Sequence, residues 1–189
     1  MIYYRKSLAN QGGQGLLELV IALGILVTGI SVVLTLSFAN AAAGREAEAR
    51  AVAANLSREG IEVVQHIRFS NIDLGFNWDQ GLSTGTYAVV FDPSSTPSWR
   101  LDPVTSANQE LLLQESSAAG FLGLRLQGSG SGTPTGFLRT VSIGDICEDG
   151  SSSCLPGNPK AGIRVNAAVT WKTGGRRTVS TEATYYHWQ

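Results

Sequence analysis

The sequence predicts an α+β fold, in which a long N-terminal helix packs on a C-terminal antiparallel β-sheet. Residues 19–44 carry no charged side chain, and no proline occurs before Pro93, so the first third of the chain can form one uninterrupted helix. After residue 85, several short segments alternate apolar and polar residues and end at glycine- or proline-containing turns. Strands of this kind need one covered face, and a helix with an apolar stripe can cover it.

The front half of the predicted helix is apolar enough to cross a lipid bilayer. A helix from Leu16 to Ala43 would be roughly 42 Å long, whereas the hydrocarbon core of a bilayer is about 30 Å thick. Arg5 and Lys6 precede this segment, and the positive-inside rule places them in the cytoplasm and the C-terminal domain outside. Glu18 lies at the head of the segment. An acid in a membrane helix needs a partner and is therefore a candidate functional residue.

A short motif leads up to this acid. Gly13 is followed by Gln14-Gly15-Leu16-Leu17-Glu18, which resembles the processing motif of type IV prepilins and pseudopilins. In that family a glycine precedes the cleaved bond and a glutamate is the fifth residue after it. The resemblance implies that residues 1–13 are a leader peptide, that cleavage falls between Gly13 and Gln14, and that Gln14 is then N-methylated. The first mature residue is most often phenylalanine in the family, so Gln14 departs from the pattern.

The resemblance also implies a function, that of a minor pilin or pseudopilin. Such a protein is a structural subunit of a type IV pilus-like or type II secretion-like filament and polymerises through its N-terminal helix. In a bundle of parallel helices, the amine freed at Gln14 can pair with Glu18 of a staggered neighbour, because a buried charge without a partner is costly. The implied location is the inner membrane in a single pass, and afterwards an extracytoplasmic filament.

The resemblance implies several partners. These are other pilin subunits, a prepilin peptidase and methyltransferase, a membrane assembly platform, and inner-membrane lipid before assembly. The sequence leaves nucleic acid binding open.

Three other interpretations remain open. Residues 39–41, Ala-Asn-Ala, could be the cleavage site of a secretory signal peptide, although the apolar run is far longer than the 7–15 residues usual there. The helix could be an uncleaved anchor for a domain that never polymerises, with Glu18 merely interfacial. The outer domain could be an extracytoplasmic binding or adhesion module whose loops, 78–99 and 147–154, hold a ligand. Exposed Trp78 and Trp99 would favour that role, whereas their burial would assign them to the core.

Beyond the membrane segment the helix is expected to continue to about Ser70 or Asn71. The predicted helix thus covers residues 14–70, of which the part to about residue 43 spans the membrane, and an outer β-rich domain covers residues 71–189. Residues 45–56 are rich in strong helix formers. Residues 55–68 also resemble the helix end of minor pilins. One helix face is predicted to pack on the sheet, and its stripe consists of Val52, Leu56, Gly60, Val63 and Ile67.

Alternating residues predict five strands in the outer domain. Three of them centre on residues 87–91, 122–126 and 137–143, and in the third of these Arg139 is expected to interrupt the apolar face. A hairpin is predicted at the end of the chain, with its turn at residues 172–175. Its inward-facing residues are Ile163, Val165, Ala167, Val169 and Trp171 on one strand and Val179, Thr181, Ala183 and Tyr185 on the other.

Cys147 and Cys154 are the only cysteines, and they are separated by a short spacer rich in serine. In an oxidising compartment this spacer can fold back and allow a disulfide, while two free thiols are the alternative.

No catalytic constellation is visible in the sequence. His66 and His187 are the only histidines, and neither lies beside a serine and an aspartate at a recognisable spacing. Asp145, Glu148 and Asp149 lack the regular spacing of a calcium loop. We therefore expect no enzyme, no metal site and no cofactor. The net charge is −1, and it becomes −3 when residues 1–13 are removed, which does not suggest a polyanionic partner.

Overall fold

The computed structural model describes residues 12–91, 99–104, 110–116, 121–126, 133–172 and 175–187, with side chains for residues 15–90, 99–104, 133–172 and 175–187. Residues 1–11 of the predicted leader lie outside the described residues. The elements are α1 (Gly12–Asp73), β1 (Gly85–Phe91), β2 (Trp99–Pro103), β3 (Glu110–Ser116), β4 (Phe121–Leu126), β5 (Thr133–Cys147), β6 (Lys160–Lys172) and β7 (Arg176–Tyr186). A long helix packed on an antiparallel sheet confirms the predicted α+β fold.

The chain divides into two compact units, Met1–Ala47 and Glu48–Gln189. The described part of the first unit is helical throughout and belongs to α1. The second unit contains the C-terminal part of α1 together with the sheet. Residues 48–73 therefore belong to the same unit as the strands, because their buried face packs on them.

The sheet is antiparallel at every described pairing and is organised around β5. One edge of β5 pairs with β6 from Leu138 to Cys147. The other edge is shared, because β1 pairs with residues 141–143 and β3 with residues 133–138. The sheet extends outwards by pairing of β2 with β1, of β4 with β3, and of β7 with β6.

The predicted C-terminal hairpin is confirmed residue by residue. Lys172 of β6 pairs with Arg176 of β7, and the register runs on to Gly162 opposite Tyr186. The five inward residues predicted for β6 are all buried, and the four predicted for β7 are all partly buried. Strict alternation decides which side chains of each strand face inwards, and this explains why the sequence predicted the two buried faces.

The helix face that packs on the sheet agrees with the predicted stripe at four of its five positions. Val52 is 40% exposed, so its assignment to the buried stripe was wrong. The buried face is also wider than the predicted stripe, because it includes two small side chains that the stripe left out, Ala53 and Ser57. The other buried helix positions are Leu56, Gly60, Val63 and Val64, with Ile67 packed at the margin.

Close contacts fix the register of α1 on the sheet. A Cβ atom at Gly60 would lie 3.0 Å from the Cβ of Ala167 and 3.2 Å from a methyl of Val141, so the helix approaches the sheet where it has no side chain. One turn earlier, the Ser57 hydroxyl donates to the carbonyl of Ala167 at 2.7 Å and lies 2.8 Å from the Thr181 hydroxyl. A buried hydroxyl needs such partners, and they exist in only one register.

Arg139 places a charged side chain on the apolar face of β5, as expected, and this side chain is buried. Its side chain is 3% exposed and lies beneath the helix, where it donates to the carbonyl of Leu56 at 3.3 Å and pairs with Glu59 at 2.9 Å. Desolvation lowers the pKa of the Arg139 guanidinium, although the charge and hydrogen bond of Glu59 oppose that effect. Burial therefore disfavours the charged form more than the ion pair favours it.

Strand β1 is covered more fully than its alternation suggested. Ala88, Val89 and Val90 are all buried, so both faces of the strand are packed. Of the other predicted positions, Tyr87 is half-buried, and the side chain of Phe91 lies outside the described residues. β4 is present as predicted, but the side chains of its three leucines also lie outside the described residues.

The helix ends at Asp73 rather than at Ser70 or Asn71. Gly75 adopts a left-handed backbone conformation with φ of 75°, and its N–H donates to the carbonyl of Ile72. The N–H of Phe76 donates to the carbonyl of Asn71 at 2.8 Å. These two bonds form a Schellman cap, which needs a glycine and therefore delays the helix end until Gly75 is available.

Candidate functional site

The candidate functional surface of the first unit is the apolar part of α1. The large apolar side chains from Leu16 to Phe38 are all at least half exposed, and Phe38 is 72% exposed. A window of 18 residues in this helix has a mean hydropathy of 2.7 and none of it is buried. An apolar cylinder of this kind is unstable in water and requires lipid or other helices around it. By length and composition it can cross a membrane.

The few hydroxyls in this segment are satisfied within the helix. Each of them donates to a backbone carbonyl three or four residues earlier, at distances of 2.7–2.9 Å. A hydroxyl that is bonded in this way does not need water and is therefore tolerated in lipid. The residues are Thr28, Ser31, Thr35 and Ser37.

Glu18 is the acid of this surface. It is exposed, and it forms no ion pair with any residue in the part of the chain that the structure describes. Gly13 and Gln14 both have helical backbone conformation, whereas the Gln14 side chain lies outside the described residues. The predicted cleavage, methylation and assembly roles of these residues remain predictions.

The disulfide predicted between Cys147 and Cys154 is present, with an S–S distance of 2.02 Å and a Cα–Cα distance of 5.4 Å. Hydrogen bonds shape the loop that it closes. The Cys147 N–H donates to the Ser151 carbonyl, and the Asp149 carboxylate accepts from the Ser151 N–H at 2.8 Å. The hydrogen bonds from Ser151 and Asn158 lower the pKa of the Asp149 carboxyl below its usual value.

The acids near the disulfide do not converge on one point. Asp145 pairs with Lys160 at 2.9 Å, and Lys160 also pairs with Asp79 at 2.8 Å. The carboxylate of Asp149 instead accepts a hydrogen bond from the Ser151 N–H within its own loop. Within the described ranges, no group of three or more histidine, cysteine or acidic side chains is placed to hold a metal ion.

The two tryptophans considered as ligand-binding residues are half-buried against the core. Trp78 and Trp99 both pack on the larger apolar cluster, which contains Val63, Val141 and Ile163 among others. The ring of Trp78 also stacks on His187 at a centroid distance of 5.7 Å, and Lys160 lies over it at 5.6 Å. Both side chains are therefore packed on the core along part of their surface and exposed along the rest, and the adhesive role stays a prediction.

Sequence reasoning missed the contacts around Arg68. Its guanidinium lies over the rings of Phe69, Trp78 and Tyr185 and borders a cavity near the end of α1. Of the three rings, only that of Phe69 is adjacent to Arg68 in sequence. The other two rings come from the loop after the helix and from the last strand, so no local pattern could reveal the cluster.

Comparisons with known proteins add no relative: no family model, no curated protein and no solved structure matches the chain.

Proposed function

We propose that this protein is a structural subunit, a minor pilin or pseudopilin, of a type IV pilus-like or type II secretion-like filament. A prepilin peptidase removes residues 1–13 and frees the amine of Gln14, which is then methylated. Before assembly, the subunit is anchored in the inner membrane, and its second unit lies on the extracytoplasmic side. A membrane assembly platform then moves it into a filament in which the apolar helices of many subunits pack together.

The observation that carries this proposal is the exposed apolar helix with a single acid near its start. Between residues 15 and 44 the chain buries nothing, yet it carries one charged side chain, Glu18. Lipid can surround the apolar part of a lone subunit, while Glu18 stays near the headgroups. In a bundle, neighbouring helices replace lipid, and the carboxylate then needs a cation from a neighbour. The freed amine at Gln14 supplies that cation at the right end of the helix.

The second unit supports the proposal through the polar contacts of Ser57 and Arg139 described above. These contacts fix one face of residues 53–67 on the sheet. A filament subunit needs such a rigid outer unit, because each copy must present the same surface to its neighbours.

Exchange of Glu18 tests the proposal. Glu18→Ala should be inserted and processed normally but should be missing from filaments sheared off the cells, because one-sided loss of a buried charge pair costs about 3–5 kcal/mol. Glu48→Ala is the matched control, since Glu48 is an exposed acid on the same helix beyond the apolar segment, and it should assemble normally.

Normal incorporation of Glu18→Ala would refute the polymerisation mechanism. A wild-type chain that stays in the inner membrane of cells that make filaments would indicate the alternative, a membrane-anchored extracytoplasmic binding module.

A further inference from the structure

Arg68 occupies an aromatic cage at the end of α1. Its Cζ atom lies 5.7 Å from the ring centroid of Phe69, 5.8 Å from that of Trp78 and 5.9 Å from that of Tyr185. One N–H, at Nη2, donates to the Tyr186 carbonyl at 3.0 Å. The rings stabilise the cation through their negative faces, but they accept few of its five N–H bonds.

This cation has no counter-ion among the described residues. No carboxylate in the part of the chain that the structure describes forms an ion pair with Arg68. The nearby Lys160, in contrast, binds both Asp79 and Asp145. The Nε atom of Arg68 is buried without a hydrogen-bond acceptor. Arg68 as a whole is only partly buried, so a guanidinium without an anion can still bind one through its remaining N–H donors.

A cavity of about 290 Å³ lies beside the guanidinium. Its polar walls come from Arg68, Asn77 and His187, and its apolar walls from Ile72, Phe76 and Trp78. No acidic side chain lines it among the described residues. The cavity therefore combines a cation and further polar groups with apolar surface.

We propose that this cavity binds a small carboxylate, with Arg68 as the partner of the carboxylate group. The planar guanidinium matches a carboxylate with two parallel N–H donors, which makes the pair stronger than a neutral hydrogen bond. The volume lies at the lower limit of small-molecule sites, so the rest of the ligand is a single ring or a short apolar chain. An aromatic acid and a sugar acid share this chemistry. The site does not depend on whether the protein polymerises.

Titration of the full chain in detergent micelles tests the proposal. The probes are sodium benzoate and sodium glucuronate, and benzamide is the uncharged control. Isothermal titration calorimetry should show saturable binding of at least one acid and none of benzamide. Arg68→Met should weaken that binding by about tenfold or more, because it removes charge-assisted hydrogen bonds. Arg58→Met removes an exposed arginine of the same helix and should leave binding unchanged.

A second variant covers the case in which Arg68→Met fails to fold. Asn77 is exposed and lines the cavity, so Asn77→Phe should fill the cavity while leaving the cage around Arg68 intact, and it should abolish binding. Saturation by benzoate alone identifies an aromatic acid as the ligand type, and saturation by glucuronate alone identifies a sugar acid. No saturable binding of either acid, or unchanged binding after Arg68→Met or Asn77→Phe, would show that the cage is only a packing arrangement.

Discussion

The buried ion pair between Arg139 and Glu59 allows a prediction that separates two kinds of charge removal. Glu59→Gln leaves the Arg139 guanidinium under the helix without its anion, whereas Arg139→Met removes the buried charge and keeps most of the side-chain volume. The two atoms of the pair lie 2.9 Å apart, and Arg139 is 3% exposed while Glu59 is 35% exposed. Removal of one partner of a fully buried pair costs about 3–5 kcal/mol. Because Glu59 is partly solvated, we expect about 1–2 kcal/mol for Glu59→Gln.

Arg139→Met should behave differently. The lowered pKa of Arg139 shows that desolvation outweighs the attraction of Glu59, and the Nε atom is buried without an acceptor. Burial therefore works against the charged form of Arg139 in the folded state. Replacement by an apolar side chain of similar length should change the free energy of unfolding by less than about 1 kcal/mol, or increase it. The double variant should be no less stable than Arg139→Met alone, since the orphaned charge is then absent.

Urea unfolding of the full chain in detergent micelles measures both effects through tryptophan fluorescence, because Trp171 is buried in the core of the second unit. Glu48→Gln, an exchange of an exposed acid on the same helix, serves as the control and should have little effect. The reasoning would be refuted if Arg139→Met lost more stability than Glu59→Gln, because the ion pair would then be a net source of stability.

Three further predictions concern the same unit and are measured by unfolding in micelles. Gly60→Val should lower the free energy of unfolding by about 2 kcal/mol or more, because the new side chain overpacks against the sheet. Gly44→Ala is the control, since nothing lies within 4 Å of a Cβ atom there, and it should leave the stability of the unit unchanged. Equal effects of the two variants would contradict the close approach of the helix to the sheet at Gly60. Cys147→Ser should cost about 2 kcal/mol, because the closed loop is short, and added reductant should lower wild-type stability to the same level. Desolvation alone would lower the pKa of Lys160, but Asp145 and Asp79 outweigh it and raise the pKa. The ion pairs of Lys160 should therefore stabilise the folded state fully below about pH 10, and this stabilisation should be lost as the pH rises further. Lys160→Met should therefore show a smaller alkaline loss of stability than the wild type.

The sequence predicted the elements that have a strong period. The charge-free run predicted the helix. The alternation from Ile163 to Tyr185 predicted the inward faces of the last hairpin, because a shift by one residue would expose the apolar side chains. Two strands were not predicted. β2 is only five residues long and contains Arg100 and Asp102, and β3 has a run of three leucines without alternation. Such segments become strands through pairing with neighbours that are distant in sequence.

The misassigned details have a common physical cause. Packing partners decide which helix side chains are buried. The hydrogen-bond partners of Ser57 lie more than a hundred residues away in β6 and β7, and Ala53 belongs to a cluster with residues of β1 and β6. The burial of Arg139 depends likewise on a carboxylate that reaches it from the helix. The disulfide could be predicted because the two cysteines are close in sequence. The cage of Arg68 could not, because Trp78 lies in an irregular loop and Tyr185 is distant in sequence.

The central claim is that the apolar helix, with Glu18 near its new N-terminus, enters a filament after leader removal. The most direct test is top-down mass spectrometry of the chain in filaments sheared from cells that produce it. We predict that the chain is found there with Gln14 as its first residue and with Cys147 and Cys154 joined. A mature terminus at Ala42 or Gly44 would show instead that the apolar segment is a secretory signal peptide, discarded together with Glu18, and would contradict the proposed function.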